Sequence, residues 1–307
     1  MDVGNRIKTR YAQLILFLLI VVWGINIPVM KIGLTAMSPT VYNAFRLVIA
    51  AVISLAALLL TKSYRPMPAK DVRLIVSVSV LGFFLNQVFI TFGIPQTTAG
   101  NASLVLATLP VVVALINRVL GLERISRQVA LAIVVSLVGV VLIVLGSNKE
   151  FSLAGPHMVG ACLVLLSQVG YGYYTVFFKR LVSTYSIYQI IASVMTINAV
   201  LFCLISLPDL AQTRVADIST AAWYSIVFSG LFGLSLGNFV WVWVVGTLGS
   251  TRASVYTNLC PVFAIAFAWF YLDESFGLLQ AAGAAVIFWG VYLTHNQADR
   301  SPTSVSL

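Results

Sequence analysis

Ten stretches of this chain each run for about twenty residues with almost nothing but apolar side chains, which is the length a spanning helix requires. No other feature restricts the fold as strongly. The stretches are Tyr11 to Gly33, Pro39 to Thr61, Asp71 to Ile94, Ala99 to Leu120, Ile125 to Ser147, Gly155 to Leu181, Ser186 to Leu207, Thr220 to Thr247, Thr251 to Leu272 and Phe276 to His295. Only short connectors and two small tails remain, leaving no room for a soluble catalytic domain. Charged residues make up 9% of the 307, against roughly 25% in a soluble domain, and 60% are hydrophobic. The expected class is an all-α membrane protein.

The net charge of +9 is a topology signal rather than a nucleic-acid footprint. With the N-terminus placed in the cytoplasm, fourteen of the eighteen Lys and Arg residues fall on the inner side and three on the outer, with Arg46 inside a span. That asymmetry predicts cytoplasmic N- and C-termini. The run after Arg6, Lys8 and Arg10 is too long for a signal-peptide core and lacks a small-residue cleavage site, so it reads as a retained first span. Cys162, Cys203 and Cys260 lie inside spans without metal-ligand spacing, so neither a disulfide framework nor a metal site is expected.

The chain also repeats itself. The segment from Ala102 to Glu123 and the segment from Ala253 to Glu274 stand 151 residues apart and share Ala-Ser, a proline, a valine and a closing glutamate. At the same offset Gly82 matches Gly233, Leu85 matches Leu236, Ala130 matches Ala281 and Gly139 matches Gly290. At an offset of 148, Trp23 to Lys31 lies over Tyr171 to Lys179. Five helices followed by five similar ones place the second set in the membrane upside down, an arrangement that recurs in secondary transporters. The expected units are residues 1–150, residues 151–295 and a cytoplasmic tail, 296–307.

The run "YNAFRLVIAA" in the second stretch, the prolines of the fourth and ninth, and the tails "LERISRQVALAIVVSLVGVVLI" and "LDESFGLLQAAGAAVIFWGVYL" resemble the EamA-type ten-helix members of the drug/metabolite transporter superfamily. The resemblance covers nearly the whole chain. It implies a bacterial inner-membrane carrier that exports amino acids or related metabolites, and the expected mode is alternating access by a monomer. No His, Cys or acid cluster stands at membrane depth, so neither enzymatic chemistry nor a cofactor is expected. A polar-pore channel or a lipid scramblase is the alternative.

Candidate binding residues are the polar groups at membrane depth: Asn26, Arg46, Asn86, Gln87, Tyr173, Asn238, Tyr256 and Asn258. Such groups need partners, and at a cavity the partner can be water or substrate. Arg46, seven residues beyond Pro39, lies on the order of 10 Å below the outer end. It is satisfied by backbone carbonyls or the interface, or it binds a substrate carboxylate. Pro110 and Pro261 either kink their spans or line a cavity, because each removes a backbone hydrogen bond. Gly230, Gly233 and Gly237 share one face and suit close helix packing. Glu123 and Glu274 end their stretches just before the next helix, where a carboxylate suits the positive end of the helix dipole. No acid sits at mid-depth, so a carrier without a dedicated proton- or sodium-binding carboxylate is expected, moving a neutral or zwitterionic substrate.

Overall fold

A computed structural model describes residues 3–96, 102, 105–123, 125–146, 156–271 and 277–295. Glu274, Lys149, Glu150 and the tail 296–307 lie outside the described residues, as do the side chains of Lys31, His157 and His295. The described residues form α1 (Val3–Leu34), α2 (Pro39–Thr61), α3 (Ala69–Gln96), α4 (Leu109–Val119) and α5 (Arg127–Gly146). They continue with α6 (Pro156–Phe177, extended by Lys179–Val182), α7 (Ile187–Gln212), α8 (Thr220–Leu248), α9 (250–271) and α10 (Leu278–His295). Among the described residues, seven helices are long and apolar enough to cross a membrane, and the described parts of α4 and α10 are apolar but shorter. Apolar side chains such as Leu60, Val119, Leu131 and Leu204 lie exposed on the outside, a surface suited to acyl chains rather than water.

Local chemistry sets the helix ends. Ser38, Ser186 and Ser219 are extended and accept hydrogen bonds from the backbone N–H of Val41, Gln189 and Ala222, capping α2, α7 and α8. Two features do not follow from the apolar pattern alone. A π-helical stretch interrupts α3 at Val78–Phe84, and a second interrupts α8 at Ser229–Leu236, beginning 151 residues later. The prolines also do not kink a continuous helix. Pro110 follows a turn at Ala107–Thr108 and opens α4, while Pro261 follows the 3₁₀ turn Tyr256–Leu259 and opens Cys260–Tyr271. Proline tolerates a first helical turn because its missing N–H has no partner there in any case.

The packing follows the repeat. Two extensive pairings join α5 to α10 and α2 to α7, each a helix with its counterpart at the repeat offset. Both pairs run antiparallel. Thr40 donates to Asp209 near one end of the α2–α7 pair, and Ser186 donates to the Ser63 carbonyl (3.2 Å) at the other. In the α5–α10 pair Gly139 faces Gly283, while Gly290 faces Ala132. Elsewhere α3 packs on α6 and α7, and its counterpart α8 packs on α1 and α2.

Glycine allows the close approaches, and these too are matched. A Cβ on Gly24 would lie 2.7 Å from Phe263, and one on Gly172 would lie 2.7 Å from Val112. Likewise a Cβ on Gly82 would meet Tyr174 at 2.9 Å, and one on Gly233 would meet Asn26 at 3.0 Å. Every residue in these pairs has its offset counterpart in the other pair, so the contacts exchange when the repeats exchange.

Candidate functional site

Met30 on α1 receives two unusual hydrogen bonds. Arg46 Nη1 donates to its sulfur at 3.3 Å, and Asn26 Nδ2 donates to the same atom at 3.4 Å. Asn26 and Met30 share a face because they stand four residues apart on a helix. Arg46 comes from α2, with its guanidinium 5.4 Å from the centre of the Tyr42 ring one turn earlier. The Tyr42 hydroxyl is held 2.8 Å from Ser225 Oγ, which donates to the Val29 carbonyl, so α1, α2 and α8 are tied together beside Arg46. From α8, Gly230 and Gly233 leave room for the Arg46 carbonyl and the Asn26 side chain.

This cluster is not satisfied electrostatically. Arg46 is 3% exposed, its Nε has no hydrogen-bond acceptor, and no described carboxylate forms an ion pair with it. Asn26 Oδ1 is also buried without a partner. A thioether is a weak acceptor, and a buried cation left with one is costly unless something else completes its shell. The arrangement can bind a carboxylate on the guanidinium while the Asn26 carbonyl accepts from a donor on the same ligand.

An aromatic cluster lies beyond Asn26. Trp23 packs on Trp241 at 5.4 Å and on Tyr171 at 6.3 Å, and Tyr171 packs on Tyr174 at 5.5 Å. Three of the four have engaged polar atoms: Trp23 Nε1 donates to the Gly233 carbonyl (3.0 Å), Trp241 Nε1 to Thr175 Oγ1 (3.2 Å) and the Tyr174 hydroxyl to Asn238 Oδ1 (3.1 Å). Trp241 and Tyr174 are fully buried, whereas Trp23 and Tyr171 stay partly exposed although they face the interior helices.

The remaining candidates do not converge on one point. Asn86 donates to the Ser167 carbonyl at 2.9 Å and accepts from Gln87 at 3.0 Å, joining α3 to α6. Tyr173 shares a 2.7 Å hydrogen bond with Ser77 and stacks on Phe177. Asn258 is wholly buried in the 3₁₀ turn of α9, with both polar atoms unpartnered. Tyr256, two residues before it, lines a separate groove between α1 and α10. Of the predicted residues, only Asn26 and Arg46 meet around one acceptor. Sequence reasoning missed Met30 and Trp241. The signal for Met30 was its place one turn after Asn26, and Trp241 stood in an apolar run that hid its contact with Thr175.

At the far end of α6 a carboxylate is fully engaged. Glu123 accepts from Lys179 Nζ (2.8 Å), from the backbone N–H (3.0 and 3.2 Å) and hydroxyl groups (3.0 and 2.8 Å) of Ser250 and Thr251, and from Asn117 Nδ2 (3.2 Å). The sequence placed it before the next helix, α5; it caps α9 instead, joining the α4–α5 connector to α6 and α9. Burial opposes its ionisation, but the Lys179 charge and the hydrogen bonds from Lys179, Thr251 and Ser250 outweigh it and hold the pKa at about 2. Gly249, at φ 87°, makes the reversal into α9, and any Cβ there would lie 3.3 Å from Glu123 Oε1. At the same end the Tyr185 hydroxyl donates to Asp71 (2.5 Å), joining the α6–α7 connector to α3.

The sequence pattern of the EamA-like transporter family matches residues 10–145 and again residues 158–295. An uncharacterized transporter of Archaeoglobus fulgidus is 26% identical over 91% of this chain and 97% of its own length. The uncharacterized transporter YdfC of Bacillus subtilis is 27% identical, covering 96% and 94%. A probable terminal-alkyne amino-acid exporter of Streptantibioticus cattleyicolor is 28% identical, covering 94% and 95%. One solved crystal structure shares the fold with a TM-score of 0.77 at 18% identity, over 93% of this chain and 98% of that one. With two matched copies spanning nearly its whole length, the chain belongs to the EamA-like transporter family, within the drug/metabolite transporter superfamily.

Proposed function

We propose that this protein is a multi-pass inner-membrane carrier exporting a small zwitterionic metabolite of the amino-acid class, with the substrate carboxylate held by Arg46. The observation that carries the reading is a buried guanidinium whose only hydrogen-bond acceptor among the described residues is a thioether. A carboxylate supplies the missing charge and two acceptor oxygens in the geometry a guanidinium prefers. Asn26 Oδ1 then accepts from the substrate ammonium, and the partly exposed rings of Trp23 and Tyr171 face its side chain. The relative named as an amino-acid exporter supports the substrate class.

In this reading the chain crosses the membrane ten times as two inverted five-helix units, 1–150 and 151–295, followed by a cytoplasmic tail, 296–307. The antiparallel pairing of α2 with α7 and of α5 with α10 supports it. The Lys/Arg asymmetry puts the Glu123 end in the cytoplasm, so its network closes the inner side while Arg46 sits toward the outer side. Alternating access then exchanges the closed end. The described acids, Asp71, Glu123, Asp209 and Asp217, all lie at helix ends or in connectors, so transport runs down the substrate gradient without a titrating carboxylate at mid-depth.

The test is counterflow in proteoliposomes, with each of the twenty amino acids inside and a radiolabelled trace outside. Saturable exchange for a subset supports a carrier. Linear, non-saturable flux would indicate a channel, and lipid flip-flop without solute exchange a scramblase.

A further inference from the structure

Trp23 and Tyr171 stand 148 residues apart, the offset at which α1 lies over α6, and their ring centres are 6.3 Å from each other. Two positions that exchange when the repeats exchange can touch only where the axis relating the repeats passes. In carriers built from inverted repeats the substrate binds near that axis, at the midplane. The two rings differ in what they leave free. Trp23 Nε1 is taken by the Gly233 carbonyl, and the neighbouring Trp241 and Tyr174 are engaged with Thr175 and Asn238. Among the described residues the Tyr171 hydroxyl has no hydrogen-bond partner. Nor is it sealed off, for Tyr171 stays partly exposed although Trp23, Trp241 and Tyr174 surround its ring.

We infer that the Tyr171 hydroxyl hydrogen-bonds the substrate side chain, and that it selects an α-amino acid whose side chain is long, uncharged and polar at its tip. This inference rests on the carrier proposed above. A charged tip is disfavoured because the groups around the hydroxyl, Trp23, Trp241, Tyr174 and Cys260, are neutral and would leave the charge unpaired. An apolar tip is disfavoured because it would cover the hydroxyl and return no hydrogen bond. Length follows from the helix. Trp23, Asn26 and Met30 share one face of α1, and Trp23 lies one turn before Asn26, about 4.5 Å along the axis. A substrate held by its carboxylate at Arg46 and its ammonium at Asn26 reaches Tyr171 only with a side chain of similar length. Glutamine has that reach and alanine does not.

Equilibrium binding to the purified full chain tests this with glutamine, norleucine, glutamate and asparagine. Glutamine is expected to bind about tenfold more tightly than norleucine, which has its length without the amide. Glutamate, charged, and asparagine, one methylene shorter, should both bind more weakly than glutamine. Tyr171→Phe brings glutamine to the level of norleucine. It leaves the affinity for norleucine unchanged, and also the preference for glutamine over its α-amide, which belongs to Arg46. Without ligand Tyr171→Phe should melt at the wild-type temperature, because the hydroxyl serves no protein group; a fall of several degrees would make it structural and overturn the proposal. Equal binding of glutamine and norleucine by the wild type overturns it too, as does a glutamine preference that survives Tyr171→Phe. Glutamate bound more tightly than glutamine overturns the uncharged side chain. A wild type that does not distinguish glutamine from its α-amide, yet keeps a Tyr171-dependent preference over norleucine, overturns the role of Arg46 and leaves that of Tyr171 standing. Binding of none of the four overturns both.

Discussion

Glu123 and Arg46 are both withdrawn from water, yet the protein treats them in opposite ways. Glu123 has six donors around its two oxygens and a lysine to neutralise it. Arg46 has one sulfur and the face of one tyrosine ring. A charge with a complete shell belongs to the architecture, because removing it strands the groups it served. A buried charge with an incomplete shell waits for something not yet bound. In the carrier proposed above, that difference separates a closed gate from a ligand site.

The largest effect is expected at Arg46. Arg46→Gln should weaken substrate binding by about 100-fold, the loss of roughly 3 kcal/mol of charge-assisted hydrogen bonding, while the protein stays folded. Arg46→Lys should recover only part of it, since an ammonium cannot grip a carboxylate with two parallel bonds. Equilibrium binding to purified protein reads both. A binding loss in Arg46→Gln no larger than in Glu123→Gln would erase the contrast.

Glu123→Ala comes next. Ser250, Thr251 and Asn117 lose their shared acceptor, a cost of about 2–3 kcal/mol in stability, seen as a lowered melting temperature. The same change should open the inner end. Ser254, buried now, would when replaced by cysteine react with an impermeant maleimide from that side faster in the Glu123→Ala background. Unchanged labelling would make the network a brace and not a gate.

The matched glycines give a smaller, graded effect. A Cβ at position 82 would lie 2.9–3.0 Å from the backbone and Cβ of Tyr174, which cannot move without α6. Gly82→Ala is expected to cost about 1–3 kcal/mol. At position 233 the clash is with the amide end of Asn26, which can swing away. Gly233→Ala should therefore leave the melting temperature nearly unchanged and raise the apparent KM.

The smallest effect is that of pH. Glu123 has a folded pKa of about 2 against an ordinary value of 4.5, so its contribution to stability is fully present above about 4.5 and is lost as pH falls toward 2. Melting temperatures of the wild type and Glu123→Gln should differ by a constant amount from pH 5 to 8 and converge below 4.5. A difference that shrinks between pH 8 and 6 would mean the carboxylate is not held as described.

Much of this was legible in the sequence because it rests on periodicity and composition. The apolar stretches, the offset of Gly82 from Gly233 and the end positions of the acids all follow from spacing along one chain. The π-helical stretches were not, since widening a helix by one residue leaves no mark on an apolar pattern. Asn26 and Arg46 stood out as polar groups at depth, but nothing in one sequence states that both turn toward Met30. Asn86, Gln87 and Asn238 stood out for the same reason and found protein partners instead. Depth flags a polar group; only the packing shows whether its shell is complete. Glu123 shows the converse, a residue read as an ordinary helix-end carboxylate whose partners come from two other parts of the chain.

The central claim is that Arg46 is completed by a substrate carboxylate. Isothermal titration calorimetry measures this directly, using the amino acid that exchanges best in counterflow and its primary amide, on the wild type and on Arg46→Gln. The wild type should bind the acid at least about 30-fold more tightly than the amide, and Arg46→Gln should bind the two equally, because the discrimination resides in one charge-assisted pair. An unaltered preference for the acid in Arg46→Gln would contradict the account, placing the carboxylate elsewhere and leaving Arg46 a structural residue.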